Sequence, residues 1–94
     1  MAYGLFGKLK AQDGKVNELA SILLKASEMM LELDSCKQYT VGIAGNEVVI
    51  SEVWVDKASH EASLKIPEVG ALIGLAMPLL AEMPSGGLVY EVLS

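Results

Sequence analysis

Ninety-four residues form one domain, 1–94, near the size at which a lone core gives only modest stability. Apolar residues make up 52% of the chain and charged ones only 20%, with a mean hydropathy of +0.42. That is more apolar surface than a small core can hide, so a second copy is expected, most simply in a twofold homodimer. The net charge is −5 and the basic residues are seven scattered lysines (8, 10, 15, 25, 37, 57 and 65), which excludes a phosphate-binding stripe and with it a nucleic-acid partner.

In chain order, Tyr3 to Ala11 alternates as a strand, with Tyr3, Leu5 and Leu9 on one face and Phe6 on the other. Asp13-Gly14 is a turn, and Asp13 is placed to cap the helix after it. From Lys15 to about Asp34 the period becomes helical: Val16, Leu19, Ala20, Leu23, Ser27, Met30 and Leu31 recur at spacings of three and four. Cys36, the sole cysteine, has no partner for an internal disulfide and belongs to no set with metal-ligand spacing; a small buried role is expected. No metal or other cofactor is expected.

Gln38 to Ala44 and Glu47 to Val55 are two strands joined at Gly45-Asn46, a tight-turn pair. The second strand is apolar on both sides, as expected of a strand covered on both faces. Asp56 caps a helix from Lys57 to Ile66, and Pro67 restarts a helix that runs to about Glu82 with a bend at Pro78. The longest apolar run, Val69 to Ala81, is broken by two glycines and a proline and falls short of the ~20 residues of a bilayer span. No basic segment followed by an apolar stretch opens the chain, so neither a signal peptide nor a membrane partner is expected, and the cytoplasm is the expected location. Pro84-Ser-Gly-Gly87 ends the helix and Leu88 to Leu93 closes the chain as a strand.

The order β-α-β-β-α-β is the split arrangement of ferredoxin-like α+β folds: a four-stranded antiparallel sheet with its helices on one face. Packing two such sheets through their other faces would make a dimeric barrel.

Glu52-x-Trp54-x-Asp56, then Ala62-x-Leu64, then Pro67 resembles the signature of the antibiotic biosynthesis monooxygenase family of dimeric α+β barrels. Quinol monooxygenases, anthrone oxygenases and haem-degrading enzymes belong to it. The element order covers the whole chain, and the motif spans about sixteen residues. The resemblance implies a pocket between the sheet and its helices, and a cofactor-independent monooxygenase acting on a quinol-like or polycyclic aromatic. Such a substrate reacts with oxygen once deprotonated, so the protein supplies shape, desolvation and a base. In the family pattern a histidine commonly lies nine residues after the tryptophan and another often follows the proline; here those positions hold Ser63 and Glu68.

Three residues are candidates for the site. Trp54 can present its indole N–H to a bound oxygen atom or serve as a core anchor. His60, the sole histidine, can act as a relocated base or as a histidine bonded to a neighbour. Glu52 shares a strand face with Val48, Ile50 and Trp54, where a carboxylate needs a partner, water or a raised pKa. Met29, Met30 and Met77 are either core filling or a lining for a flat ligand. Gly70-x-x-x-Gly74 reads as helix packing, and Gly4-x-x-Gly7 lacks the spacing of a dinucleotide fingerprint. With the usual helix histidine replaced, a non-catalytic barrel binding a small hydrophobic ligand is the alternative function, and haem binding or degradation a third.

Overall fold

The computed structural model describes residues 2–84 and 87–93. Ser85 and Gly86, part of the expected Pro84–Gly87 break, lie outside the described residues. The elements are β1 (Ala2–Lys10), α1 (Val16–Leu31), β2 (Cys36–Ala44), β3 (Glu47–Trp54), α2 (Lys57–Ser63), α3 (Pro67–Ala76), a 3-10 turn (Met77–Leu79) and β4 (Leu88–Val92). The four strands form one antiparallel sheet in the order β2-β3-β1-β4. This is the ferredoxin-like α+β arrangement that the element order predicts.

Strand alternation divides the sheet into two faces. Tyr3, Leu5 and Leu9 of β1 stand opposite Trp54, Glu52 and Val48 of β3, and β2 adds Tyr39 and Val41 to the same face. The helices cover this face. The other face carries Phe6, Val49, Val53, Leu88 and Tyr90, and among the described residues no helix lies over it. There Phe6 is 37% and Leu88 63% exposed.

The β2–β3 hairpin turns at Gly45-Asn46 as expected. Gly45 has φ +61, which glycine adopts without the penalty a Cβ would bring. The Asn46 amide then donates to Ala11 O at 2.6 Å and Ala11 N–H donates back to Asn46 O at 3.0 Å, tying the hairpin to the end of β1.

Several boundaries depart from the expected ones. Asp13 does not cap α1: Gly14, at φ +77, turns the chain away from it, and Lys15 occupies the cap position without a side-chain bond. The helix stops at Leu31, because Leu33 and Cys36 already direct their N–H groups into tight turns. Strand β2 starts at Cys36, two residues early, through an irregularity between Cys36 and Gln38 that keeps Cys36 opposite Trp54. Helix α2 ends at Ser63, since Ile66 is driven to extended backbone (ψ 125) by the proline after it. Pro78 cannot bond back into α3, so the helix ends at Ala76 and tightens to 3-10 geometry, where a bend was expected. Among the described residues no single helix is long and apolar enough to cross a membrane.

Two buried clusters sit between helices and sheet. One joins Ala11, Leu19, Ala20, Val48 and Ala76; the other joins Met30, Cys36, Trp54 and Val69. Helix α1 contributes Leu19 and Ala20 to the first and Met30 to the second, so it bridges both. Leu19 is fully buried and Leu24, on the outer face of the same helix, is 52% exposed. Leu19→Ala should therefore lower the unfolding free energy by about 2–5 kcal/mol in urea titrations, while Leu24→Ala should change it by about 0.5 kcal/mol or less. Equal losses at the two positions would contradict this division of the helix.

Candidate functional site

Strand β3 leaves the sheet at Trp54, whose side chain is fully buried against Met30, Cys36 and Val69. Two residues earlier on the same face is Glu52. The indole N–H of Trp54 donates to Glu52 Oε1 at 3.0 Å, so the alternation of the strand itself places donor and acceptor together.

Asp56 begins the next element. Its carboxylate accepts the Ser59 N–H at 2.8 Å and fixes the start of α2, as expected of the acidic cap. The hydrogen bonds from Ser59 hold the Asp56 carboxyl below its ordinary value. One turn along, His60 returns over the strand. Its ring meets Trp54 edge-on at 5.6 Å and Tyr3 at 5.9 Å, and Nε2 lies 3.8 Å from Glu52 Oε1. The structure thus brings Glu52, Trp54 and His60 into one cluster.

Glu52 and His60, but not the buried Trp54, line a cavity of ≈ 210 Å³ that touches both core clusters. Leu23, Ala26 and Met30 of α1 form one side and Val69, Leu72 and Ala76 of α3 another; Met77 also lines it. Tyr39, Glu52 and His60 are its titratable groups. Met29 instead packs against the Trp54 cluster.

Burial raises the pKa of Glu52, and the Trp54 hydrogen bond and the nearby His60 offset that only in part. Burial, and then the adjacent Glu52 charge, push the Tyr39 phenol well up, so Tyr39 keeps its proton and can serve as a donor. Tyr39 lines the cavity but is absent from the sequence-based candidates. Its signal was available: counting back through the Gly45-Asn46 turn pairs Tyr39 with Glu52. The hydroxyl of Ser27 on α1 donates to Tyr39 O at 3.1 Å and holds that part of β2 under the helix.

Ser63, where the family pattern carries a histidine, is 2% exposed and donates to His60 O at 2.6 Å. Its hydroxyl is used within its own helix. Glu68, at the position after the proline, lies on the exposed first turn of α3. Among the described residues no group of three or more His, Cys, Asp or Glu could hold a metal ion.

This architecture recurs among solved structures. A candidate antibiotic biosynthesis monooxygenase from Chloroflexus aurantiacus superposes with a TM-score of 0.88 at 30% identity, covering 100% of this chain and 95% of that one. The chain belongs to the antibiotic biosynthesis monooxygenase family. Two more candidates of that name share the fold: one from Deinococcus radiodurans (20% identity, TM-score 0.82, 100% and 94% coverage) and one from Nitrosomonas europaea (12% identity, TM-score 0.91, 98% and 90% coverage). No family model and no curated protein matches the chain.

For this member of the antibiotic biosynthesis monooxygenase family, the Glu52 environment fixes the sign of a pH effect. A carboxyl that holds its proton more tightly when folded contributes stability that is fully present below the unfolded range, about pH 4, and lost as pH rises through the folded value. Glu52→Gln keeps an acceptor for Trp54 but cannot ionise. Urea unfolding across about pH 4 to 8 should therefore show the variant gaining on the wild type as pH rises. A constant or shrinking difference would mean that the carboxylate is not penalised by its surroundings.

Proposed function

We propose that the chain, folded as one domain over residues 1–94, is a cofactor-independent monooxygenase acting on a small quinol-like aromatic. The observation that carries this reading is the Glu52–His60 pair, with Glu52 held from behind by the buried Trp54, at the wall of a cavity whose other lining apart from Tyr39 is apolar. The cavity volume of ≈ 210 Å³ favours one or two rings over a polycycle, since a dry cavity of about 150 Å³ accommodates benzene. Haem fits poorly, because its macrocycle would require α1 and α3 to separate.

In this reading His60 accepts the proton of a ring hydroxyl and the Glu52 carboxylate stabilises the resulting imidazolium. Trp54 holds Glu52, and Tyr39 donates a hydrogen bond to a substrate oxygen. The apolar walls leave the phenolate poorly solvated and therefore reactive. Dioxygen adds to the electron-rich ring carbon; one oxygen stays as the new hydroxyl, the ring C–H proton is lost and the other oxygen leaves as water. The quinol supplies all the electrons, so quinol plus dioxygen gives hydroxyquinone plus water.

Ser63 motivates a second reading, a non-catalytic barrel that binds a small hydrophobic ligand. Its hydroxyl is spent on its own helix, and the family's common histidine is absent. In either case the uncovered sheet face, with Phe6, Val49, Val53 and Tyr90, meets the same face of a second copy, and a cytoplasmic location accompanies both readings.

Anaerobic mixing with a panel of hydroquinones, followed by oxygen, should yield hydroxyquinone faster than buffer alone. His60→Gln should lower kcat/KM by about 100-fold or more, and Trp54→Phe should also reduce it by releasing Glu52. Thermal stabilisation by the same aromatics without turnover would instead favour the binding reading. The dimer is tested separately: light scattering should give twice the protomer mass at micromolar concentration, and Val53→Lys should halve it. A monomeric wild type would exclude the barrel.

A further inference from the structure

The Glu52–His60 pair is bordered by two spaces. Besides the apolar cavity, a second chamber of ≈ 220 Å³ touches the same two side chains and Leu9, and is bounded by Leu5–Lys8 of β1, Ile50 and Gly87. The pair stands in the partition between them. The two chambers differ in cover: α1 and α3 enclose the first, whereas the second lies over β1 beside β4.

Gly7 is the residue that keeps the second chamber open. It pairs with Ile50 in the β1–β3 ladder and so lies on the face that carries Glu52. Among the described residues a Cβ at Gly7 would meet no atom within 4 Å, so their packing does not require glycine there. Its φ is not positive, so backbone geometry does not require it either. Glycine inside a strand weakens it, and its use here brings no packing gain. What it provides is the space beside the pair. Gly87 is the opposite case: a Cβ there would lie 2.6 Å from Phe6 O, so its backbone is seated on β1 and forms the rim.

We propose that the chamber over Gly7 is a solvent route to the Glu52–His60 pair, used by water and other small polar molecules while the apolar cavity is occupied. This deepens the proposed function and rests on it in one respect: the proton that His60 takes from a bound substrate passes to water in this chamber. Product need not leave before the base is reset.

His60 is the sole histidine, so its acylation by diethyl pyrocarbonate, followed by imidazole absorbance and intact mass, reports access to the pair without any turnover. Gly7→Val fills the chamber with a strand-favouring side chain and should slow acylation by an order of magnitude or more. Gly7→Ala, whose added methyl meets open space, should give an intermediate rate and decides the question if the valine variant unfolds. Saturating the apolar cavity with naphthalene, which has no hydroxyl to occupy His60, should leave the wild-type rate within severalfold. Unchanged acylation in both Gly7 variants, or abolition of wild-type acylation by bound naphthalene, would overturn the route. Failure of quinol oxidation with this acylation pattern intact would count against the proposed chemistry alone.

Discussion

The hydrogen bond from Trp54 Nε1 to Glu52 Oε1 places a carboxylate on an apolar wall and keeps it there. Donor and acceptor are two residues apart on one strand, so the contact needs no loop to hold it. A carboxylate in such surroundings is costly unless its lone pairs are used, and a single indole N–H satisfies only part of that demand. His60 approaches the same oxygen from α2 only to 3.8 Å, close enough to act through charge but too far for a hydrogen bond, so the demand is left partly unmet. Three local devices thus meet at one atom: strand alternation, the acidic cap at Asp56 that phases α2, and the helical step from Asp56 to His60. Shifting the β3 register by one residue would turn Glu52 and Trp54 to the uncovered face and dismantle the cluster.

Helix α1 explains why there is a cavity beside this cluster. Its ends are pinned by different cores, Leu19 and Ala20 to one and Met30 to the other. Its middle presents Leu23 and the short Ala26 to the space between. The two clusters hold the helix at a distance from the sheet that its middle residues do not fill. With few dipoles lining that space, the charges at its edge are weakly screened. That raises the cost of ionising Glu52 and Tyr39, and it strengthens any interaction with a charge that develops on a bound molecule.

Much of this was legible in the sequence. The alternation of Val48 to Trp54, the Gly45-Asn46 turn, the Asp56 cap and the restart at Pro67 are each dictated by a local rule, and each is present. What was not legible depends on tertiary geometry. Asp13 looks like a cap until the positive φ of Gly14 carries it outside the helix. Cys36 lies beyond the apparent start of β2 because an irregular pairing, invisible to periodicity, returns it to Trp54. Tyr39 is a different case: the hairpin register that sets it against Glu52 could be counted from the turn, but that its ring lines a cavity depends on how α1 and α3 pack. The substitution of Ser63 for the family's histidine was plain, but not that its hydroxyl would be tied to His60 O.

That tie bears on where a substrate can sit. His60 and Ser63 are three residues apart on α2 and so lie on the same side of the helix, separated by about 4.5 Å along its axis. The family pattern that the motif resembles has its histidine at the later position, further from the strand exit. Here the imidazole stands one turn closer to β3, within reach of Glu52, while the later position is sealed with a small, internally satisfied side chain. Under the proposed chemistry the acidic hydroxyl of the substrate must therefore lie against the sheet, between His60 and Tyr39, and its apolar body must extend between α1 and α3. On that proposal, a base moved along one helix would change how the ligand is oriented and leave the surrounding fold intact.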